Sequence, residues 1–341
     1  MDPLTRRRLG TSKLEVTVLG LGGAPLVGLK APVAENDARA AVTAAYDAGL
    51  RLFDTSPFYG IGLSEHRMGT VLREKQPHDF VLSTKVGRYL VPEVPDKVDH
   101  RLFHGTLNMK VVIDYSYDGV MRAVDQSFQR LGIERIDVLH IHDIDIWSQG
   151  SREAYEKRFA EAMDGAYRAL HELRAQGVVG AIGIGVNEIE PCMRAVAAGD
   201  FDCFMLAGRY SLLTQEALGE LLPVLQRKGM GLLIAAPYNS GILATGAVPG
   251  ARYNYLPASE AIMTRVAQIE AVAKRHGVPL AAAALQFPLG HPSVCAVVPG
   301  AVNASEVERN VALMSHSIPN DFWAELKHAK LLAEEAPVPT R

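Results

Sequence analysis

From residue 16 to residue 298 the sequence repeats one unit, a short apolar run with the character of a buried strand followed by a stretch with helical spacing. The runs fall at Val16–Leu21, Gly49–Phe53, Asp79–Thr84, Ile136–Ile141, Ala181–Ile184, Cys203–Leu206, Gly231–Ala235 and Val294–Val298. After the first of them, Ala38, Ala41, Val42, Ala45 and Ala48 recur at helical spacing from Glu35 onward, and Gly49 stops that helix. Further helices are expected over Ser64–Lys75, Tyr117–Leu131, Tyr155–Gln176, Glu190–Ala198, Thr214–Lys228, and Ala258–His276 with Leu280–Leu289. A short hairpin over residues 6–17 precedes the repeat. Eight strands, each followed by a helix or a helix with a loop, predict an α/β fold of the (β/α)8 TIM-barrel type, with an N-terminal β-hairpin and long loops at the active edge. A length of 341 residues, 48% of them apolar, suits one barrel domain over residues 1–341.

Such a barrel carries its chemistry at the C-terminal ends of its strands, and the polar residues there are distinctive. Ser56-Pro57 forbids helix directly after the second run, so Asp54 sits at that strand's mouth with Tyr59 five residues further on. The third run delivers Lys85 and the fourth delivers His142. A tyrosine hydroxyl, with an ordinary pKa of about 10, exchanges protons poorly at neutral pH until a cation stabilises its phenolate. Lys85 would supply the cation and Asp54 would keep Lys85 charged and oriented. His142 would polarise or position a substrate oxygen, or share its proton with Tyr59. This set suits proton transfer at an alcohol or carbonyl oxygen while hydride moves at the adjacent carbon. Each residue alone also has a purely structural reading: an Asp54–Lys85 salt bridge, a packed Tyr59, a hydrogen-bonded loop His142. All four in register on successive strands favour catalysis.

Two segments would overhang this edge. Residues 87–114 mix charge, proline and aromatics without clear period, and a loop of that length in a compact domain is more often functional than idle. Tyr89, Phe103 and Tyr115 either line a pocket or anchor this loop. The run Asp143-Ile144-Asp145-Ile146-Trp147 forms a second active-edge loop. On position alone Phe58, Asp143, Trp147 and Tyr238 are the candidate substrate contacts, Asp143 for hydroxyl groups and the aromatics for stacking. No G-x-G-x-x-G opens a helix after a strand, so a nicotinamide cofactor would have to be held in another way.

A net charge of −3 implies no field for nucleic acid or anionic membrane. No apolar stretch approaches the roughly 20 residues of a membrane helix, and Arg6-Arg7-Arg8 runs through Leu9 into Gly-Thr-Ser-Lys rather than an apolar leader. Cys192, Cys203 and Cys295, odd in number and widely spaced, fit reduced core thiols. A cytoplasmic protein with a small-molecule substrate, monomeric or a small homo-oligomer, is expected. Two other chemistries compete. His140 and His142 make an H-x-H that could ligate a metal, but the remaining histidines, such as His171, His276 and His291, fall on or near helices, so no metal site is expected. Lys85 could form a Schiff base, which Asp54 and Tyr59 beside it argue against.

From Arg8-Leu9-Gly10-Thr11-Ser12 through Leu19-Gly20-Leu21-Gly22 to Asn310, and above all in Asp54, Tyr59, Lys85 and His142, the chain resembles the aldo-keto reductase family. The resemblance implies Tyr59 as general acid/base and the other three as the rest of a catalytic tetrad. It also implies a nicotinamide cofactor, for which several expected residues are replaced. Only Asn187, in Gly185-Val186-Asn187, remains as a carboxamide partner after the fifth strand. Ala207 stands where a Gln is usual, and Ala235-Ala236-Pro237-Tyr238-Asn239-Ser240-Gly241 replaces an aromatic-Ser-Pro-Leu. Pro237 to Leu243, with Ser240 and Gly241, is the pyrophosphate-loop candidate, or else an ordinary turn. In the eighth unit, Pro299-Gly300-Ala301, Glu306 and Asn310 stand where NADP-preferring members carry Lys and Arg. Gly300 offers no cation and Glu306 would repel a 2′-phosphate while accepting from a ribose hydroxyl, so NAD is expected over NADP, unless Arg309 turns inward. Within the family, Leu139-His140-Ile141-His142-Asp143-Ile144 and Gly183-Ile184-Gly185-Val186-Asn187-Glu188 resemble the branch that oxidises aldoses at C1 or pyridoxal at C4. The implied reaction is oxidation of a cyclic aldose hemiacetal to a lactone, with pyridoxal as the alternative substrate. A carbonyl reductase or a non-catalytic cofactor-binding subunit are the remaining readings.

Overall fold

The computed structural model describes residues 1–29, 31–100 and 102–339. Eight parallel strands form one sheet in chain order: Leu21–Gly22, Leu52–Asp54, Val81–Val86, Val138–His142, Ala181–Val186, Cys203–Ala207, Gly231–Ala235 and Val294–Val298. The first and last strands meet through parallel bridges at Leu19–Val297 and Gly22–Gly300, which close the sheet into a barrel. Helices between the strands cover its outer face, as the βα rhythm requires. Helix Tyr117–Leu131 shows the local logic: the Ser116 side chain accepts from the Gly119 amide at its start, and Gly132 ends it in a left-handed conformation.

The inside of the barrel is filled by alternate residues of each strand. Leu52, Val81, Val138, Ala181, Cys203, Met205 and Leu233 pack with Leu9 and Val16 of the N-terminal hairpin as an apolar plug toward the closed end. Above that plug the inward positions become polar: Ser83 and Lys85 on the third strand, His140 and His142 on the fourth. The fifth strand makes room for them with glycine, because a side chain at Gly183 would place its Cβ 2.1 Å from the Cys203 carbonyl and 2.9 Å from the His140 ring. The strands are staggered, so Asp54 pairs with Ser83, Lys85 with His140, and His142 with Gly185. In a tilted barrel this stagger carries the last inward residue of each strand to the rim.

Several expected elements are redrawn. The run Val16–Leu21 divides: Glu15–Thr17 pairs antiparallel with Arg6–Arg8 in the hairpin, and only Leu21–Gly22 enters the barrel sheet. Arg7 of the basic cluster is half-buried and donates to the carbonyl oxygens of Val294 and Leu289 at 2.6 and 3.0 Å, tying the hairpin to the barrel. Residues 87–114 are not structureless, since Arg88–Pro92 and Met109–Ile113 form an antiparallel pair. The helix expected over Tyr155–Gln176 consists of Arg152–Glu161 and Tyr167–Ala175 joined by a π-helical turn at Ala162–Ala166. The stretch Thr214–Lys228 holds a short 3-10 turn at Glu216–Leu218 and a helix at Leu221–Lys228. Helices Ala304–Ser315 and Asn320–His328 complete the chain after the eighth strand. Among the described residues no helix is long and apolar enough to cross a membrane.

Candidate active site

Asp54, Lys85 and His142 converge at the C-terminal mouth of the barrel, and Tyr59 joins them from the turn after the second strand. Lys85 Nζ donates to Asp54 Oδ2 and to the Thr55 carbonyl oxygen, both at 2.7 Å. Ser83 Oγ donates to Asp54 Oδ1 at 2.9 Å, so both carboxylate oxygens are held. Lys85 and Asp54 are almost wholly buried. Burial pushes the Asp54 carboxyl above its ordinary range, and the Lys85 ammonium and the Ser83 hydroxyl pull it back.

The Tyr59 ring lies 4.8 Å from Lys85 Nζ and 5.8 Å, edge to face, from the His142 ring. The lysine therefore reaches the phenol through its π face, its short donor contacts being to Asp54 and Thr55. Contrary to the expected lowering by Lys85, the Tyr59 hydroxyl is held well above its ordinary pKa, first by burial and then by the Asp54 and Asp143 carboxylates and the Tyr255 hydroxyl, with Arg88 opposing. His142 is neutral: burial, then the charges of Arg88 and Lys85, push its pKa well below the usual imidazole value. Its Nδ1 lies 3.2 Å from Ser56 Oγ and its Nε2 lies 3.5 Å from Asp143 Oδ1. Tyr115, fully buried, donates to the His142 carbonyl oxygen at 2.6 Å and so anchors this strand end.

The substrate-side candidates divide. Phe58 packs at 5.3 Å on Phe103, which also touches Tyr59 at 6.3 Å, so Phe103 belongs to the wall of the site. Tyr89 instead lies under Arg122 on the outer helix. Asp143, in a left-handed conformation with φ 55°, is half-buried and pairs with Arg88 Nη2 at 2.9 Å. Trp147 is 48% exposed and stacks on Tyr255 at 5.9 Å. The Tyr238 hydroxyl donates to Asn310 Oδ1 at 2.7 Å, which joins a substrate-side candidate to a cofactor-side one.

The cofactor-side candidates are likewise specific in their surroundings. Asn187 lines a cleft beside Ala207, Ser240 and Tyr255, but its Nδ2 already donates to Asp145 Oδ2 and Asp143 Oδ1, at 3.0 and 3.2 Å. The loop after the seventh strand is a tight turn in which Asn239, Ser240 and Gly241 all have positive φ. Pro237 is buried at its start and Leu243 is buried in the short helix that follows. Ser240 Oγ accepts from the Tyr255 amide at 3.0 Å. Gly300 packs on Pro25 so closely that a Cβ there would lie 2.2 Å from the proline ring. Glu306 is exposed in the first turn of helix Ala304–Ser315, where its Oε2 accepts from the Val302 amide at 2.9 Å.

Sequence reasoning missed Arg88, Ser56 and Tyr255. Arg88 and Ser56 each lie beside a strand end already singled out, at Lys85 and Asp54, and that position was a usable signal. Tyr255 had none: it reaches the site on the tip of the small hairpin Arg252–Tyr253/Leu256–Pro257, with Asn254 and Tyr255 both left-handed. The H-x-H pair does not act as one ligand set, because His140 faces Ser83 and Cys203 inside the barrel while His142 faces Ser56 and Asp143.

The aldo/keto reductase family model matches residues 18–330. A pyridoxal 4-dehydrogenase from Microbacterium luteolum is 43% identical over 338 residues, covering 96% of this chain and 98% of that protein. A D-threo-aldose 1-dehydrogenase from a Pseudomonas species is 38% identical over 325 residues, covering 94% and 95%. Among solved structures, the holo form of an aldo-keto reductase from Bacillus halodurans superposes with a TM-score of 0.74 at 22% identity, covering 99% of both chains. The chain belongs to the aldo/keto reductase family of nicotinamide-dependent oxidoreductases.

Proposed function

We propose that this protein, acting as one catalytic domain, oxidises the carbinol of a cyclic hemiacetal to a lactone with NAD as the preferred cofactor. The observation that carries the reading is the convergence of Tyr59, Lys85, Asp54 and His142 at one barrel mouth. Tyr59 takes the proton of the hemiacetal hydroxyl. Neutral His142 holds the same oxygen, and the Lys85–Asp54 pair sets the field under the phenol. The cofactor, when bound, accepts the hydride. Ester resonance in the lactone draws the reaction toward oxidation.

We assign the nicotinamide end of the cofactor to the cleft lined by Ala207, Gly208 and Ala236, whose small groups stand beside the polar Asn187 and Ser240. The preference for NAD rests on Gly300, where Pro25 leaves no room for a cation, and on the exposed carboxylate of Glu306. An aldopyranose is the substrate class favoured by the hydroxyl-binding character of half-buried Asp143 beside Arg88. Pyridoxal in its hemiacetal form is the second reading, favoured by the 43% identity to a pyridoxal 4-dehydrogenase.

The test is NADH formation by purified enzyme with L-fucose, D-arabinose, L-galactose and pyridoxal, each with NAD and with NADP, and with Tyr59→Phe as control. Turnover of a sugar with NAD, lost in the variant, supports the aldose reading. Turnover of pyridoxal alone keeps the mechanism and changes the substrate. No turnover of any of the four, with NAD bound, refutes lactone formation, and equal efficiency with both cofactors refutes the NAD preference.

A further inference from the structure

A buried serine hydroxyl has one proton to give, and where it goes decides the tautomer of an imidazole beside it. Two such serines flank the two histidines of the fourth barrel strand. Ser83 gives its proton to Asp54 Oδ1 at 2.9 Å, yet its Oγ also lies 3.2 Å from His140 Nδ1. With its proton committed, Ser83 is an acceptor toward the ring. His140 therefore carries its proton on Nδ1, and its Nε2 is left to take the Cys203 thiol contact at 3.7 Å.

Ser56 is arranged the other way. It is fully buried, and its Oγ accepts from the Phe58 amide at 3.1 Å, a partner that can only donate. Its other contact is His142 Nδ1 at 3.2 Å. Nδ1 is thus the acceptor within reach of the Ser56 proton. The reverse assignment would leave that proton without a taker and would face a bare Nε2 toward the Asp143 carboxylate, two acceptors 3.5 Å apart.

We propose that Ser56 is a positioning residue: by donating to Nδ1 it fixes His142 with its proton on Nε2. The 3.5 Å separation from Asp143 is too long for a normal hydrogen bond, so the Nε2 proton stays available to a substrate oxygen. Asp143 is itself held by Arg88 Nη2 at 2.9 Å and Asn187 Nδ2 at 3.2 Å, which keeps its carboxylate from closing on the histidine. The strand thus carries two neutral histidines of opposite tautomer, each set by its own serine. The catalytic meaning of this arrangement rests on the function proposed above; the tautomer assignment does not.

The experiment is a long-range proton–nitrogen correlation spectrum of the full chain labelled with 15N-histidine, with His142→Gln and His140→Gln used to assign the two rings. The expected result is an unprotonated Nδ1 on His142 and a protonated Nδ1 on His140. Ser56→Ala should mix the His142 tautomers and lower kcat roughly 2- to 12-fold with little change in KM, whereas Ser56→Thr should keep the wild-type tautomer. A protonated Nδ1 on wild-type His142 overturns the proposal even if Ser56→Ala does not fold. A tautomer and kcat both unchanged in folded Ser56→Ala also overturn it. The spectrum needs no substrate, so failure to oxidise sugars or pyridoxal would count against the proposed function separately.

Discussion

Replacing Lys85 by Met leaves the Asp54 carboxylate buried without its cation, and the consequence can be worked out. At 2.7 Å the pair attracts by about 6 kcal/mol at an effective dielectric constant of 20. Breaking a buried pair by removing one partner typically costs about 3–5 kcal/mol. The variant has one escape, which is to fold with Asp54 protonated. That route costs about 1.4 kcal/mol for each pH unit between the solution pH and the ordinary Asp pKa of about 3.9. The loss is therefore capped near 4 kcal/mol at pH 7 and near 1.5 kcal/mol at pH 5, plus about 1 kcal/mol at either pH for the Thr55 carbonyl left without its donor. The sign follows from linkage. With its folded pKa raised above the unfolded value, Asp54 in the variant adds stability as the pH falls toward the unfolded pKa and removes it as the pH rises. Urea unfolding of wild type and Lys85→Met at pH 7 and pH 5 measures both gaps. Asp54→Leu combined with Lys85→Met should recover most of the loss at pH 7, since neither charge is then buried. A loss below about 1 kcal/mol at pH 7, or a gap that does not narrow at pH 5, would refute the reasoning.

Tyr59→Phe should lower kcat roughly 10²- to 10⁴-fold while leaving cofactor affinity, read by NADH fluorescence, unchanged; a residual rate near wild type would remove Tyr59 from the chemistry. Because burial and nearby carboxylates hold the Tyr59 hydroxyl above its ordinary pKa, the base form is scarce at neutral pH. The oxidation rate should then climb with pH through the alkaline range, and a flat profile between pH 7 and 9 contradicts this. Glu306→Arg should improve NADP binding relative to NAD by roughly 10- to 100-fold, whereas Gly300→Lys should destabilise the fold through its collision with Pro25; fluorescence titration and thermal melting check the two. Cys192, Cys203 and Cys295 are all buried free thiols with pKa values pushed up by burial, so a thiol reagent should label none of them until the protein unfolds.

The barrel was legible because its evidence is local. Each apolar run and the helix after it announce themselves within about 20 residues, and the fold needs little more than their order. The stretch 87–114 was harder to read because Arg88–Pro92 and Met109–Ile113 pair across an intervening segment rather than through a tight turn. The first strand was misplaced for a related reason. Glu15–Thr17 and Leu21–Gly22 are one apolar run in sequence, and only the partner of each, Arg6–Arg8 or Phe53–Asp54, separates plug from barrel.

The order of residues is enough to read eight βα units and, through them, to set Asp54, Lys85 and His142 at strand ends on one edge, since strand direction is inherited from one unit to the next. Tertiary structure decided what those groups touch. The stagger that sets Lys85 against His140 rather than Asp54 in the sheet still brings its ammonium to the Asp54 carboxylate. The Ser56–His142 contact joins residues 86 apart in the chain, and the Tyr238–Asn310 bond spans 72. Such pairings depend on how the barrel tilts and closes, and no local periodicity encodes the side-chain partner that closure brings within reach.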